Sequence, residues 1–389
     1  MDKRYIYADN AATTRVSDSV MSAMMPWFQD NFANPSGLYS PATSAAKAIR
    51  QARAEIAKCL GAEPGEVFFT SCGTESDNWA IKSALELTGK KRIITSRLEH
   101  HAVLKTCEYL KTKGFEITYL PCSESGIIDP EDLKKAIGND VAVVSVMLAN
   151  NEIGTIQRVS EMAEICHEYG VLMHTDAVQA VGNIPADFKA LGVDMLSLSG
   201  HKIHAPKGIG ALLVRKGINL PQFIHGGKQE AGRRAGTENV PYIMGLRQAI
   251  MDATSGIEKR SEYVLSLRER LIDGLLKIEM TRLNGDRTDR LSGNANISFY
   301  GIEGESLALL LDMKGICVSS GSACTTGDTE PSHVLKAIGL TDEWAKGALR
   351  ITLSEDNTIE DVDYIIRMIT EIVGKLRESS TLWKRTVEQ

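Results

Sequence analysis

Short runs rich in Val, Ile and Leu alternate with helix-like stretches through the first two thirds of the chain, and this alternation limits the fold more than any single residue does. The apolar runs are EVFFT (66–70), RIITS (92–96), EITYLP (116–121), VAVVSVML (141–148), VLMHTD (171–176) and DMLSLS (194–199). GIGALLVRK (208–216) reads as the returning arm of a turn. Between them lie NWAIKSALELTG, AVLKTCEYLKTKG, PEDLKKAIG and SEMAEICHEYG, each of which stops at a glycine that ends a helix. Apolar strands joined by helices of ordinary length imply a mainly parallel α/β sheet covered on both faces. Ligands of such sheets gather at the carboxyl ends of the strands. Thr74, His100, Asn151, Asp176 and Lys202 each follow an apolar run closely, so topology alone brings them toward one edge.

Beyond about residue 255 the texture changes. IEKRSEYVLSLRERLIDGLLKIE is a long amphipathic helix that links two domains. NANISFY, ESLALLLDMKG, a cysteine-bearing loop, LRITLS and IEDVDYIIRMITEIVGKLRE then read as a smaller α+β domain. The expected division is residues 14–256 for the large domain, with 1–13 and 257–389 forming the small one. The tail SSTLWKRTVEQ reads as polar and mobile.

The net charge is −6 and no basic block stands out, which argues against nucleic acid as a partner. No apolar run reaches the about 18 residues of a membrane span, and MDKRYIYADNAATT lacks the apolar core of a signal peptide. Seven scattered cysteines with no C-x-x-C pair point to free thiols in a reducing cytoplasm and away from a structural zinc site.

The chemistry-bearing residues sit at the strand ends. LSLSGHKIHAPKG (196–208) presents Lys202 at the mouth of a buried strand, where desolvation favours a nucleophilic amine, and VLMHTD ends at Asp176. A pyridoxal phosphate (PLP) site needs such a pair: an amine for the aldehyde and a carboxylate for the pyridinium nitrogen. SCGTESDN (71–78) serves either as a phosphate cradle built on Gly73 and Thr74 or as ordinary helix capping. It is not a Walker loop, since it lacks Gly-Lys-Ser/Thr. Ser199 and His201 are further phosphate donors beside Lys202. His100 suits either stacking and proton transfer or a plain helix start. Asn151 suits ligand oxygens or a capped turn, and Arg350 a substrate carboxylate or a structural ion pair. Arg233 and Arg234, in RRAGTEN, suit either a phosphate or a solvated loop. Cys324 lies in a small, polar loop that suits an accessible thiol.

Taken together, YADNAATT, NPSGLYS, TSCGTESDN, LEHHAVL, NNEIG, HTDAVQAVG, SLSGHKIHAPKG, RRAGTEN and SSGSACTTGDTEPSHVL resemble the cysteine desulfurases of the NifS/IscS type, in the class-V aminotransferase branch of fold-type I PLP enzymes. The resemblance runs from Tyr7 to the C-terminal helix, and TSCGTESD, HAPKG and RRAGTEN look closest to the NifS side. It implies a large PLP-binding domain with a mainly parallel seven-stranded sheet, a small domain carrying the cysteine loop, and a cytoplasmic homodimer. It further implies Lys202 as the Schiff-base lysine, His100 stacked on the pyridine ring, Asp176 on its nitrogen and Gln179 on the phenolate oxygen. Gly73, Thr74, Ser199 and His201 would hold the phosphate, with Thr237 reaching in from the second subunit. Asn151, Arg350 and Asn34 would bind the substrate, L-cysteine. Cys324 would receive its sulfur as a persulfide and pass it to a NifU/IscU-type scaffold for iron–sulfur assembly or to another sulfur acceptor. No metal site is implied.

Two departures stand out. The family usually has a histidine where this chain has Tyr39, and often an arginine after the clamp strand, where this chain reads Leu353-Ser354-Glu355-Asp356. The lost positive charge bears on substrate affinity and on docking of an acidic partner. Other readings within the class are an aminotransferase, which a loop cysteine disfavours, and a selenocysteine lyase. A PLP-fold protein without catalysis stands against the full set of site residues. A dinucleotide-dependent dehydrogenase lacks its G-x-G-x-x-G.

Overall fold

The computed structural model describes residues 5–320 and 331–387. A short strand β1 (Ile6–Tyr7) opens the chain. The central sheet comprises β2 (Val67–Thr70), β3 (Arg92–Ser96), β4 (Glu116–Leu120), β5 (Val141–Ser145), β6 (Leu172–Asp176), β7 (Met195–Ser199) and β8 (Gly210–Val214), in the order β2-β8-β7-β6-β5-β3-β4. Only β8 runs against its neighbours; the other pairings, from β7 through to β4, are parallel. This is the mainly parallel α/β sheet that the strand runs imply, with the seven strands that the family resemblance implies. The strands β5, β7 and β8 are buried along their whole length, as a sheet covered on both faces requires.

The sheet positions the site through close backbone approach. Helix Gly73–Thr88 begins directly after β2, five residues earlier than the apolar pattern starting at Asn78 suggests. Cys72 stands at its N-terminal boundary in extended conformation, and the small Gly73 lets this end slide under Val178, whose methyl would lie 2.7 Å from an added Cβ. Gly210, at the start of β8, has the Leu198 carbonyl 2.6 Å and the Cys72 backbone 3.0 Å from where a Cβ would be. Two helices not signalled by the strand-and-helix alternation, Ser40–Cys59 and Val240–Thr254, pack on each other against the sheet. The buried face of the first is largely alanine, which pattern reading scores weakly.

A second apolar core forms around the antiparallel sheet of β9 (Thr281–Leu283), β10 (Asn294–Phe299), β12 (Ser319–Ser320) and β13 (Ala348–Thr352), in the order β12-β13-β10-β9. Helix Ile257–Leu275 contributes Val264, Leu267, Leu271, Ile272 and Leu275 to this core, and helix Ile359–Ser379 covers it as well. The N-terminal segment belongs to both bodies: β1 pairs in parallel with β11 (Ile316–Cys317), and Asp9 bridges to Thr352. The tail departs from the expected mobile segment. It forms helix Thr381–Val387, because the Arg377 guanidinium stacks 3.9 Å from the Trp383 ring and that ring lies against Gly301. No helix among the described residues is long and apolar enough to cross a membrane.

The backbone contacts at Gly210 cannot yield as a flexible side chain would. Gly210→Ala is expected to destabilise the protein by about 1–3 kcal/mol, read as a lower denaturation midpoint. A midpoint equal to that of the parent would show that β8 shifts freely against Cys72.

Candidate active site

The carboxyl ends of β5, β6 and β7 and the start of helix Gly73–Thr88 enclose a cavity of about 300 Å³. Gly73, Thr74, His100, Asn151, Asp176, Gln179, Ser199, His201, Lys202 and Arg350 all line it. Asn34 and Thr237 do not: both are exposed, and the Asn34 side-chain oxygen accepts from the Ser36 amide. Cys324 lies outside the described residues.

Lys202 ends the tight turn Gly200–Lys202 that succeeds β7. It is half-buried, and its Nζ donates to the carbonyls of Ala11 at 2.6 Å and Ala12 at 2.7 Å. The Gln179 amide donates to the same Ala11 carbonyl at 3.0 Å. These contacts with the N-terminal segment have no signature in residue type, because they are made by backbone oxygens.

Asp176 is buried at the end of β6, and its Oδ1 accepts from the Val178 amide at 2.9 Å. Burial pushes its carboxyl up to about 6, against the opposing pull of the Val178 amide and the Lys202 charge. His100 opens helix His101–Thr112 and accepts from the Ala102 amide through Nδ1 at 3.1 Å, which leaves Nε2 to carry the ring proton. Burial, and then the Lys202 charge, lower it to about 4, so the ring is neutral at pH 7. His201, with Nδ1 3.1 Å from the Thr13 hydroxyl, is lowered to about 4 for the same two reasons.

Arg350, on β13, crosses from the small sheet into the cavity. One guanidinium nitrogen donates to Asp9 at 2.9 Å and to Ser319 at 3.3 Å, and another donates to the Asn151 carbonyl at 3.2 Å. Its Nε is buried without a hydrogen-bond partner. Arg350 therefore makes a structural ion pair and still has an unsatisfied donor, so both roles open to it from the sequence are compatible. Arg234 does not reach the cavity as a free cation, since it pairs with Glu75 at 2.7 Å. Glu75 in turn accepts from the Ser71 amide at 2.8 Å. Arg233 lies over the Phe68 ring and donates to Asn219. Glu355, in the run Leu353–Asp356 that departs from the family pattern, stands 3.9 Å from Arg260 beside a neighbouring cavity that Lys202 also lines. Among the described residues no cluster of His, Cys, Asp and Glu could hold a metal ion.

The lysine, the buried carboxylate and the helix N-terminus at one sheet edge define a PLP-dependent α/β enzyme. The chain belongs to the class-V aminotransferase family, whose family model matches residues 6–365. It is 52% identical over 383 residues to the cysteine desulfurase IscS of Methanosarcina thermophila, spanning 98% of this chain and 95% of that one. It is 46% identical to the cysteine desulfurase NifS of Azotobacter vinelandii, spanning 97% and 95%. Although three motifs look NifS-like, the IscS relative is the more similar of these two. A solved structure of a NifS-like protein superposes with a TM-score of 0.90 at 39% identity, covering 96% of this chain and 100% of that one.

The cofactor of this family is pyridoxal 5′-phosphate, and the cavity fits it on two structural observations. The Ser199 hydroxyl is buried without a hydrogen-bond partner, next to the first turn of helix Gly73–Thr88. Amides at a helix N-terminus and a spare hydroxyl suit a phosphate. The cavity also carries an amine and a buried carboxylate.

Two fully or largely buried histidines, His174 at about 3 and His100 at about 4, sit below their ordinary 6.5 because burial disfavours the charged ring. The unfolded chain takes up their protons first as pH falls below 6.5, so the share of stability that rests on these two neutral rings is lost as pH drops from about 6.5 toward about 3. His174 alone accounts for about 2 kcal/mol between pH 7 and pH 5. Urea denaturation at the two pH values is expected to show that gap shrinking by this amount in His174→Gln. An unchanged gap would place the titrating group elsewhere.

Proposed function

We propose that this chain is a cysteine desulfurase: it removes sulfur from L-cysteine, leaving L-alanine and a persulfide on Cys324. The observation that carries this reading is one cavity lined by both Lys202 and Arg350, a guanidinium whose Nε is buried without a hydrogen-bond partner. An amine exchange point and a carboxylate clamp together select an α-amino acid. The relatives named cysteine desulfurase, matched over nearly the whole chain, supply the side chain of that amino acid.

Bound PLP supplies an electron sink for the carbanion formed at the substrate Cα. In this reading Gly73, Thr74, Ser199 and His201 hold the phosphate, Asp176 faces the ring nitrogen, and Gln179 faces the phenolate oxygen. His100 would stack on the cofactor, and its neutral Nε2–H would carry protons near the Lys202 amine. Lys202 would hold the cofactor through its amine and would serve as the base for the substrate Cα proton. Asn151 and Arg350 fix the substrate carboxylate. The Cys324 thiolate attacks the substrate sulfur; the new S–S bond forms as the Cβ–S bond breaks, and the bonding pair stays with the carbon that becomes the methyl of alanine. Cys324 is assigned from its motif.

Thr237 is exposed and away from its own chain's cavity, which suits a phosphate contact given to a second subunit of a homodimer. Phe32 (78% exposed) and Leu38 (100%) near the N-terminus offer apolar area for that contact. The sulfur acceptor is a NifU/IscU-type scaffold. A cytoplasmic setting suits the thiols of Cys59, Cys72, Cys107, Cys122, Cys166 and Cys317, all free. The apolar core around Ile297, Ile351 and Ile369 takes Ile6 and Ala8 with it, which supports a division at residues 14–256, with 1–13 and 257–389 apart, although Leu291, Val334, Leu335 and Ala348 pack on the large core.

The decisive assay quantifies alanine and sulfide from L-cysteine with PLP and a reductant. Equal release of both is expected, with Cys324→Ala losing desulfuration while keeping the cofactor chromophore and Lys202→Ala losing the chromophore of the lysine adduct. Full-rate desulfuration by Cys324→Ala would defeat the nucleophile assignment. Amino transfer to pyruvate with no sulfide would favour an aminotransferase.

A further inference from the structure

Behind Asp176 lies a buried polar chain that the roles assigned above leave unused. His174 is fully buried on β6, with Nδ1 2.9 Å from the Ser145 hydroxyl of β5 and Nε2 2.9 Å from the Ser197 hydroxyl of β7. Sheet register makes this possible: Ser145 pairs with His174, and Ser197 pairs with Asp176. The next member is Asp77, from helix Gly73–Thr88, which hydrogen-bonds Ser197 and is 1% exposed. One Asp77 oxygen lies 3.6 Å from His174 Nε2, beyond hydrogen-bonding reach, and has no hydrogen-bond partner. Asp77 also lines the cofactor cavity beside Asp176.

A buried carboxylate needs a cation or several donors. The titratable groups that act on Asp77 are Asp176, Glu99 and Cys72, with the neutral ring of His174 nearby. None of these brings positive charge. Asp176 by contrast has the Val178 amide and the Lys202 charge. Two neighbouring carboxyls in a water-poor site titrate as a unit and share one proton. The proton goes to the member with the poorer support for charge.

We propose that Asp77 is a positioning residue that carries this proton, so that Asp176 stays ionised to meet the cofactor's ring nitrogen; this rests on the reading of the cavity as a PLP site. The hydrogen-bond chain then runs in one direction. Asp77 donates to Ser197, Ser197 donates to His174 Nε2, and His174 donates through Nδ1–H to Ser145. Each link has one donor and one acceptor. An ionised Asp77 would reverse the chain and set two negative charges side by side. Burial, and after it the Asp176 charge, hold the Asp77 carboxyl well above the usual range, in agreement with the geometry.

The test uses the full chain and PLP itself. Asparagine keeps the shape and donor of a protonated aspartate and lacks its charge. PLP affinity, by fluorescence titration of the cofactor-free protein, is expected to fall about tenfold or more in Asp77→Ala and to stay within about threefold of the parent in Asp77→Asn. The pH dependence of the bound cofactor's visible band should be retained in Asp77→Asn. Infrared difference spectra of the cofactor-free protein should show a protonated carboxyl band that Asp77→Asn removes. A loss of about tenfold in Asp77→Asn, or no such band, overturns the proposal. If Asp77→Ala does not fold, Ser197→Ala breaks the same chain and should show the same loss; parent-like affinity there also overturns it. Asp176→Ala separates the two levels. If it binds PLP like the parent, the reading of the cavity as a PLP site fails; if it loses PLP while Asp77→Ala does not, only the role of Asp77 fails.

Discussion

The segment Tyr7–Thr14 is the tie on which the site depends. Its strand pairs with β11 of the small sheet, Asp9 holds Arg350 by an ion pair, and the carbonyls of Ala11 and Ala12 receive Lys202. Thr14 then donates its amide to the His201 carbonyl at 2.9 Å. One short run of residues, turning at Asn10–Ala12, thus touches the amine from the large sheet and the clamp from the small one. Both groups reach the same cavity because backbone atoms, which cannot drift as side chains do, bridge them. Asp9 also keeps the buried Arg350 guanidinium compensated before any substrate carboxylate arrives, and it leaves Nε as the donor still to be satisfied.

Most of the cavity was legible in the sequence because its residues obey a topological rule. Thr74, His100, Asn151, Asp176 and Lys202 all come directly after apolar strands, and parallel strands deliver the residues at their carboxyl ends to one edge. The illegible part has physical reasons. Carbonyl groups such as those of Ala11 and Ala12 have no residue signature. Asp77 sits one turn into a helix where an aspartate usually faces water, so its burial is visible only once the helix is seen lying on β6 and β7. The start of that helix was blurred by Ser71-Cys72-Gly73, which reads as loop until the extended Cys72 is recognised as its boundary. Asp9 stands within the motif YADNAATT, but its pairing with Arg350 spans 341 positions and no local pattern signals it.

The electrostatics of the cavity depend on which charges have been neutralised. His100, His174 and His201 are all held neutral by burial, so none of them adds a cation at pH 7. Arg350 is matched by Asp9 and Arg234 by Glu75. A phosphate entering beside Gly73 and Thr74 therefore meets neutral donors: helix amides, the spare Ser199 hydroxyl and an imidazole. Such donors bind an anion without a fixed counter-charge and hold it by geometry. The mobile charge of the site is then concentrated on Lys202 and Asp176, the two groups whose protonation the chemistry must control. A cavity that spent further cations on the phosphate would lower the cost of ionising both Asp77 and Asp176 and blur which carboxyl holds the proton; leaving the phosphate to neutral donors keeps that assignment sharp.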